Sequence, residues 1–295
     1  RLLHLVGRAW SFVTANLEGE HFVIHHGGHV PKFLRDAECA LKGLGEMSYC
    51  VKDIESCFPN MPRESIRFGL RKETARIRAA HGHIGVSVPR FSDTQRCTWL
   101  DAAPKRQTRR GIHEARPDEL NHRRYAHLTF EVMMDVMEFA LENTLIKMPD
   151  GSLLRQIKGI PMGDPMSPGM TIGACAWMEN DWMDGLTSRD KTCFRAKRYM
   201  DDILMIYAKP AWWDNEKFMS DFEKSECYHP PLRLEDGGKG TFLETRFELR
   251  DGSFRHWLKN DNEDGRDKIW RYQHFKSHSP YLQKRALLTA RLKKV

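Results

Sequence analysis

The chain has 295 residues, 40% of them hydrophobic, and a formal net charge of +7; this is enough apolar material for a packed core and too much for a disordered chain. No run of about 18 apolar residues and no secretory-signal order is present, so the expected setting is soluble and intracellular, without a membrane partner. The seven cysteines are odd in number, scattered and free of any Cys-x-x-Cys pair, which excludes a disulfide framework and a zinc ribbon and leaves them as reduced thiols.

The chain starts at Arg1 rather than Met, which reads as a cut inside a longer protein. Apolar residues over 2–13, and then Ala37, Ala40, Leu41 and Leu44, recur at helical spacing and predict two helices. A short strand is expected over 47–54 with Asp53 near its end. Asn60, Pro62 and Glu64 then mark the start of a helix toward Ala80. Residues 81–127 are rich in Arg, Gly and Pro without a clear period and read as an irregular basic insertion. The histidines there, His81 and His83, and the pair His25-His26 lack metal-ligand spacing and read as solvated or phosphate-facing.

Phe130, Met133, Met134, Met137 and Leu141 follow at i, i+3, i+4, i+7 and i+11, an amphipathic helix whose methionines read as core rather than ligands. Asp150-Gly151 between Leu145-Ile146 and Leu153-Leu154 predicts a hairpin. A Gly- and Pro-rich loop over 159–169 leads into a helix through Trp182. An apolar hairpin is expected over 199–207, a helix near 213–224, strands over 241–249 and 253–258 joined by Asp251-Gly252, and a basic helix from Pro280.

Charge is unevenly spread. Residues 63–127 hold 15 Lys/Arg against 7 Asp/Glu, and 268–295 hold 8 Lys/Arg and no acid, so the remaining segments are net acidic. Basic blocks around an acidic centre suit cations along phosphate backbones and carboxylates gathered where metals bind. Solvated surface charge gives the same composition, so the argument moves to the motifs.

Tyr199-Met200-Asp201-Asp202 puts two acids at a turn, backed by the apolar run Ile203-Leu204-Met205-Ile206. Adjacent carboxylates repel, and hard divalent ions with oxygen-ligand preference relieve that repulsion. Asp53 at a strand end can face this hairpin across a sheet, which completes the carboxylate set that phosphoryl transfer uses. Phe58, five residues on, reads either as a core ring or as a ring under a sugar, where it excludes a 2′-hydroxyl. The segment Gln156-Ile157-Lys158-Gly159-Ile160-Pro161-Met162-Gly163-Asp164-Pro165-Met166-Ser167-Pro168 offers glycines for close backbone approach and Ser167-Pro168 as a helix start. It is no nucleotide-hydrolase phosphate loop, because no Gly-Lys-Ser/Thr follows.

Taken in order, these segments resemble motifs A, B and C of reverse transcriptases: Asp53 with Phe58, then 159–168, then Tyr199 to Asp202. Thr241-Phe242-Leu243-Glu244 is similar to the family's primer-grip segment. The Pro-Met-Gly-Asp-Pro-Met-Ser-Pro form, Phe275-Lys276-Ser277-His278-Ser279-Pro280 and Lys284-Arg285 most resemble Penelope-like elements, with telomerase and group II intron enzymes as neighbours.

The resemblance implies an α+β fold: a right-hand polymerase palm with an antiparallel sheet over 47–250, partial fingers and N-terminal helices over 1–46, and a thumb-proximal hairpin and basic helix over 251–295. It implies a retroelement RNA-directed DNA polymerase, a nucleotidyltransferase working on an RNA or DNA template, a primer and deoxynucleoside triphosphates, with a nuclear location. Two Mg²⁺ ions, replaceable by Mn²⁺, are expected on Asp53 and Asp201, with Asp202 as supporting acid. Phe58, Gly163 and Ile54 are expected around the nucleotide, Phe242 and Leu243 at the primer end, and Lys239 or Lys224 as proton donor to pyrophosphate. The 52 residues before Asp53 hold no match to the basic residues of the family's fingers, and no second nuclease site is present.

Three other readings have distinct signatures. A viral RNA-dependent RNA polymerase places Asp where Phe58 stands and carries a Ser-Gly and Asn pattern in the central helix, which is missing here. A domesticated palm that binds nucleic acid without turnover would have no need to retain the full acid set. An interaction protein without nucleic-acid function would be insensitive to salt.

Overall fold

In the computed structural model, residues 1–91, 96–102, 105–108, 111–114 and 124–258 are described. Helical spacing in the first segment gives α1 (Leu2–Thr14), whose Leu5, Val6, Ala9, Trp10 and Val13 turn inward. The second helix, α2 (Val30–Leu41), begins upstream of the expected Ala37 and stops before Leu44. Pro31 lies in its first turn, where a fixed φ and a missing N–H favour initiation.

The central sheet has the strand order β11-β1-β10-β9 and is antiparallel, built from β1 (Glu46–Ile54), β9 (Phe194–Tyr199), β10 (Asp202–Lys209) and β11 (Leu234–Asp236). Ile203, Leu204, Met205 and Ile206 of β10 are all fully buried. Because successive strand residues point to opposite faces, Ile203 and Met205 join one core while Leu204 and Ile206 join another. The first core packs under α1, α4 (Arg63–His81), α5 (Phe130–Glu142) and α6 (Ser167–Gly185). The second packs under α2 and a small sheet of β12 (Thr241–Phe242), β13 (Thr245–Arg250) and β14 (Ser253–Leu258). A strand covered on both faces reads as a continuous apolar run, which is how the segment behind Asp202 looks in the sequence. The short helix α3 (Cys57–Asn60) follows β1, and α4 starts at Arg63 with Pro62 as its N-cap, so Asn60 closes one helix rather than opening the next.

The described residues of the basic stretch over 81–127 are largely strands rather than irregular chain. Strands β2 (His83–Pro89), β3 (Thr98–Asp101) and β6 (Tyr125–Thr129) form a sheet in the order β3-β2-β6, and β4 (Lys105–Thr108) pairs with β5 (Gly111–Glu114). Val86, Val88, Ala126 and Leu128 carry its inner face. These small apolar residues are diluted by Arg, His and Ser, which masked the two-residue period. The methionine helix α5 is capped by the Thr129 side chain, which accepts from the Val132 N–H, and Met133, Met134 and Met137 are core as expected. The hairpin β7 (Leu145–Lys147) to β8 (Leu153–Arg155) turns where expected, its Asp150 carboxylate accepting from the Ser152 N–H at 2.9 Å.

The remaining elements position the acidic turn. A capping box at Thr187 and Asp190 starts α7 (Ser188–Cys193) just before β9. Helix α8 (Asn215–Asp221) begins on the Asp214 cap and loosens into a wider turn over Phe222–Glu226. The strand expected over 241–249 breaks, because Leu243 takes a left-handed φ of 55° between β12 and β13. The basic helix expected from Pro280, the residues 275–285 and most of the expected thumb lie outside the described residues.

Candidate active site

Antiparallel pairing of β1 with β10 sets Asp53 directly opposite Asp202, and residues so paired project from the same sheet face. Asp201 sits in the turn before β10, where Met200 has a left-handed φ of 55°. The turn is tied to the end of β1 by the Ile54 N–H, which donates to the Asp201 carbonyl at 3.1 Å. On the other side of β1, β11 sets Glu235 opposite Asp53. Asp53 is thus flanked by acids on both neighbouring strands.

The charge consequence is large. The Asp53 carboxyl is pushed up to about 6, first by burial, then by the negative charges of Asp201, Asp202 and Glu235 and by a hydrogen bond with the Glu235 carboxyl. Lys52 donates instead to Asp236 at 2.7 Å and pairs with Glu223 at 2.6 Å. Burial opposes the Lys52 charge, but these two partners outweigh it and raise its pKa. The lysine therefore anchors β11 through Asp236.

Four neighbouring carboxylates offer hard oxygen donors, the donor type Mg²⁺ takes. Their mutual repulsion, visible at Asp53, is what a divalent cation relieves. Among the described residues no three such side chains already close on one point as a cage; what the strands fix is the proximity of the acids.

The other expected site residues divide by burial. Ile54 is wholly buried, so its contribution to the site is its backbone bond to Asp201. Phe58 lies on α3, packed in part against the first core, and its carbonyl accepts from the Ile160 N–H at 2.8 Å. Helix α3 and the glycine-rich loop therefore meet. Gly163 has a φ of 90° with open space around its Cβ position, and Met162 beside it is exposed. Phe242 is core, whereas Leu243 forms the left-handed turn and packs against the second cluster in part. Lys224 and Lys239 are both exposed. Lys224 follows Glu223, a partner of Lys52, and Lys239 acts on the charge of Asp236.

Three features escaped the sequence reading. Glu235 comes from a strand of only three residues, too short to show a period. Arg198 lies fully buried below the acidic turn and donates to the Met200 carbonyl at 2.7 Å; its only signal is its place just ahead of Tyr199. A cavity of about 850 Å³, whose lining does not include these acids, is lined by Pro59, Arg63, Arg67, Arg155, Lys158 and Gly159 among others.

No family model matches the chain, and no curated protein matches it. Solved structures do. Telomerase from Candida albicans, in complex with a TWJ fragment of telomeric RNA, aligns with a TM-score of 0.57 at 15% identity over 86% of this chain and 39% of that one. Apo telomerase from Candida tropicalis aligns with a TM-score of 0.52 at 14% identity over 88% of this chain and 39% of that one. A form of it truncated from the C-terminal domain aligns with a TM-score of 0.50 at 12% identity, over 86% and 44%. The chain thus spans less than half the length of these telomerases. The chain has a mixed α+β, reverse-transcriptase-like fold.

Proposed function

We propose that the chain is the polymerase core of an RNA-directed DNA polymerase of a retroelement, most like the Penelope-like group. In this reading 47–250 is a right-hand palm, 1–46 are partial fingers and 251–295 begin the thumb. The observation that carries it is the register of β1 on β10, which sets Asp53 opposite Asp202 and the Asp201 turn against Ile54. Acids distant in sequence meet on the sheet, the glycine-rich loop bonds to the Phe58 carbonyl through Ile160, and the segments follow the order motif A, B and C. The telomerase-like fold agrees with this class of chemistry, and one of those telomerases is bound to an RNA fragment.

Asp53 and Asp201 would hold Mg²⁺, with Mn²⁺ able to substitute, and Asp202 would support them. Two such ions, when bound, would supply a lowered pKa at a primer 3′-hydroxyl and charge neutralisation on the departing pyrophosphate. The chain's own residues do the positioning. Phe58 bears on the sugar and disfavours a 2′-hydroxyl, so deoxynucleoside triphosphates are the substrates. Gly163 leaves room for template base and incoming nucleotide. The 241–243 turn holds the primer end, and Lys239 or Lys224 delivers a proton to pyrophosphate. RNA or DNA template and primer are the partners, and the nucleus is the site of action of such an element.

Primer extension on an RNA template with Mg²⁺ and deoxynucleotides, comparing the parent chain with its variants, tests the reading. Synthesis by the parent that is lost in Asp201→Asn, with template binding retained, is the expected result. Equal synthesis by both forms removes the two-metal assignment. Template binding without any synthesis by the parent leaves a nucleic-acid-binding palm, and preferential ribonucleotide use points to an RNA polymerase.

A further inference from the structure

Directly under the acidic turn lies a pair of opposite charges with no exposure at all. The side chains of Arg198 on β9 and Glu179 on α6 are both 0% exposed, and the Arg198 Nε donates to Glu179 Oε1. Such a pair is weak evidence for stability, since desolvating two ions offsets most of their attraction, so its retention calls for a geometric reason. The surrounding bonds supply one.

The second arm of the guanidinium, Nη1, donates to the Met200 carbonyl at 2.7 Å. Met200 is the residue in the left-handed conformation, with φ 55°, and it immediately precedes Asp201. A branched or long side chain in that region of φ is strained and persists only where its surroundings hold it. Arg198 therefore grips the one peptide whose orientation decides where Asp201 and Asp202 leave the turn.

Glu179 is in turn held from three sides. Besides Arg198, its Oε1 accepts from the Tyr228 hydroxyl at 2.9 Å, and its Oε2 accepts from the Phe22 N–H at 2.8 Å. The Phe22 carbonyl accepts from the Arg198 N–H at 2.6 Å, and the Arg198 carbonyl accepts from the Ile24 N–H at 2.9 Å. The N-terminal segment, α6, β9 and the 228 loop thus meet at one carboxylate. A fork of fixed, planar donors is needed to reach Glu179 and Met200 at once, which an ammonium group does not offer.

We propose that Arg198, oriented by Glu179 and Tyr228, is a positioning residue that fixes the Met200–Asp202 turn and so aims Asp201 and Asp202 toward Asp53. The proposal rests on the reading of these acids as the reacting centre, but its first readout does not.

The test compares the full chain with Arg198→Lys, which keeps the charge beside Glu179 and loses the fork. Amide hydrogen exchange is followed at Ile54, whose N–H is bonded to Asp201, and across 200–202, with β2 and α5 as internal references. Exchange at the turn at least tenfold faster, with reference amides unchanged, is expected. Mn²⁺ affinity measured by electron paramagnetic resonance should fall alongside it. In primer extension, kcat should drop at least tenfold with KM for deoxynucleotide near that of the parent, since a loss of fold would lower the active fraction and the reference protection together.

If Arg198→Lys does not fold, Tyr228→Phe decides: it removes one bond to Glu179 and should speed exchange at Ile54 and 200–202 several-fold while the references hold. Turn exchange unchanged in a folded Arg198→Lys, or in Tyr228→Phe, overturns the proposal. A parent that makes no DNA counts against the polymerase reading alone, because the exchange contrast still reports on the turn.

Discussion

Gly159 lies so close to the backbone of Phe58 that a Cβ on it would stand 2.4 Å from the Phe58 carbonyl oxygen and 2.3 Å from that of Pro59. Its φ of 64° is also in the left-handed region. Backbone atoms cannot swing aside as a side-chain end can, so Gly159→Ala should cost about 2–4 kcal/mol of stability from strain and displaced chain together. Gly163→Ala is the control. Its φ is 90° but its Cβ position is open, so the cost should be nearer about 1 kcal/mol. If Gly163 faces template and nucleotide, this milder variant should still lose synthesis. Urea unfolding combined with primer extension separates the two effects, and equal stability of both variants would contradict the close approach of the loop to Phe58.

The acids predict a pH signature. Asp53 is pushed up to about 6 in the folded chain, by burial and then by Asp201, Asp202 and Glu235. A carboxyl raised on folding binds its proton more tightly in the native state, so stability is greatest below its unfolded value and falls as pH rises toward about 6. Asp53→Asn removes that penalty. A shift of this size corresponds to about 3 kcal/mol before screening, and Asp53 is only partly buried, so about 1 kcal/mol of stabilisation at pH 7.5 without divalent ions is expected. Mg²⁺ should raise the Tm of the parent more than that of the variant. Thermal unfolding between about pH 4 and 8, with chelator or Mg²⁺, checks both points; a variant less stable than the parent in chelator would refute the account.

Phe58 tests the sugar-gate assignment. It is packed on the core in part, so Phe58→Val should cost about 1–2 kcal/mol while opening space below the sugar. Discrimination against ribonucleotides should relax by roughly tenfold to a hundredfold, the range a modest change in pocket shape supplies. Competing incorporation of the two triphosphates measures it. Unchanged selectivity in a folded variant would return Phe58 to the role of an ordinary core ring.

Legibility followed signal length. The run behind Asp202 is apolar because β10 is covered on both faces, and the methionine stripe of α5 points inward, so both were readable from order alone. That Asp53 could face the acidic turn across a sheet was legible from order, and the register sets Asp53 opposite Asp202 while the Ile54 N–H ties the Asp201 carbonyl to the same strand end. The sheet in the basic stretch was not, because Val86, Val88, Ala126 and Leu128 are separated by polar residues and by distant pairing. Glu235 and Arg198 were missed for a related reason: each owes its position to a neighbour remote in sequence, Asp53 for one and Glu179 for the other. A break such as Leu243 is a single left-handed residue that no periodicity records.

The cavity lined by Arg63, Arg67, Arg155 and Lys158 gives the last prediction. Two of its arginines are already committed to structure: Arg63 donates to the Gly159 carbonyl at 3.1 Å and the Gln156 carbonyl at 2.8 Å, and Arg67 pairs with Glu138 at 2.8 Å. Arg155 and Lys158 line the same cavity and are exposed. Burial and the positive charges of Arg67 and Arg155 lower the pKa of Arg63, a repulsion that a phosphate in the cavity would relieve. Reversing the two exposed charges, Arg155→Glu with Lys158→Glu, should leave folding intact and weaken primer–template binding about tenfold at moderate salt. If both make phosphate contacts, the slope of log affinity against log salt should fall by about 2. Fluorescence anisotropy over a potassium chloride series measures both quantities, and an unaltered slope would place the nucleic acid elsewhere on the protein.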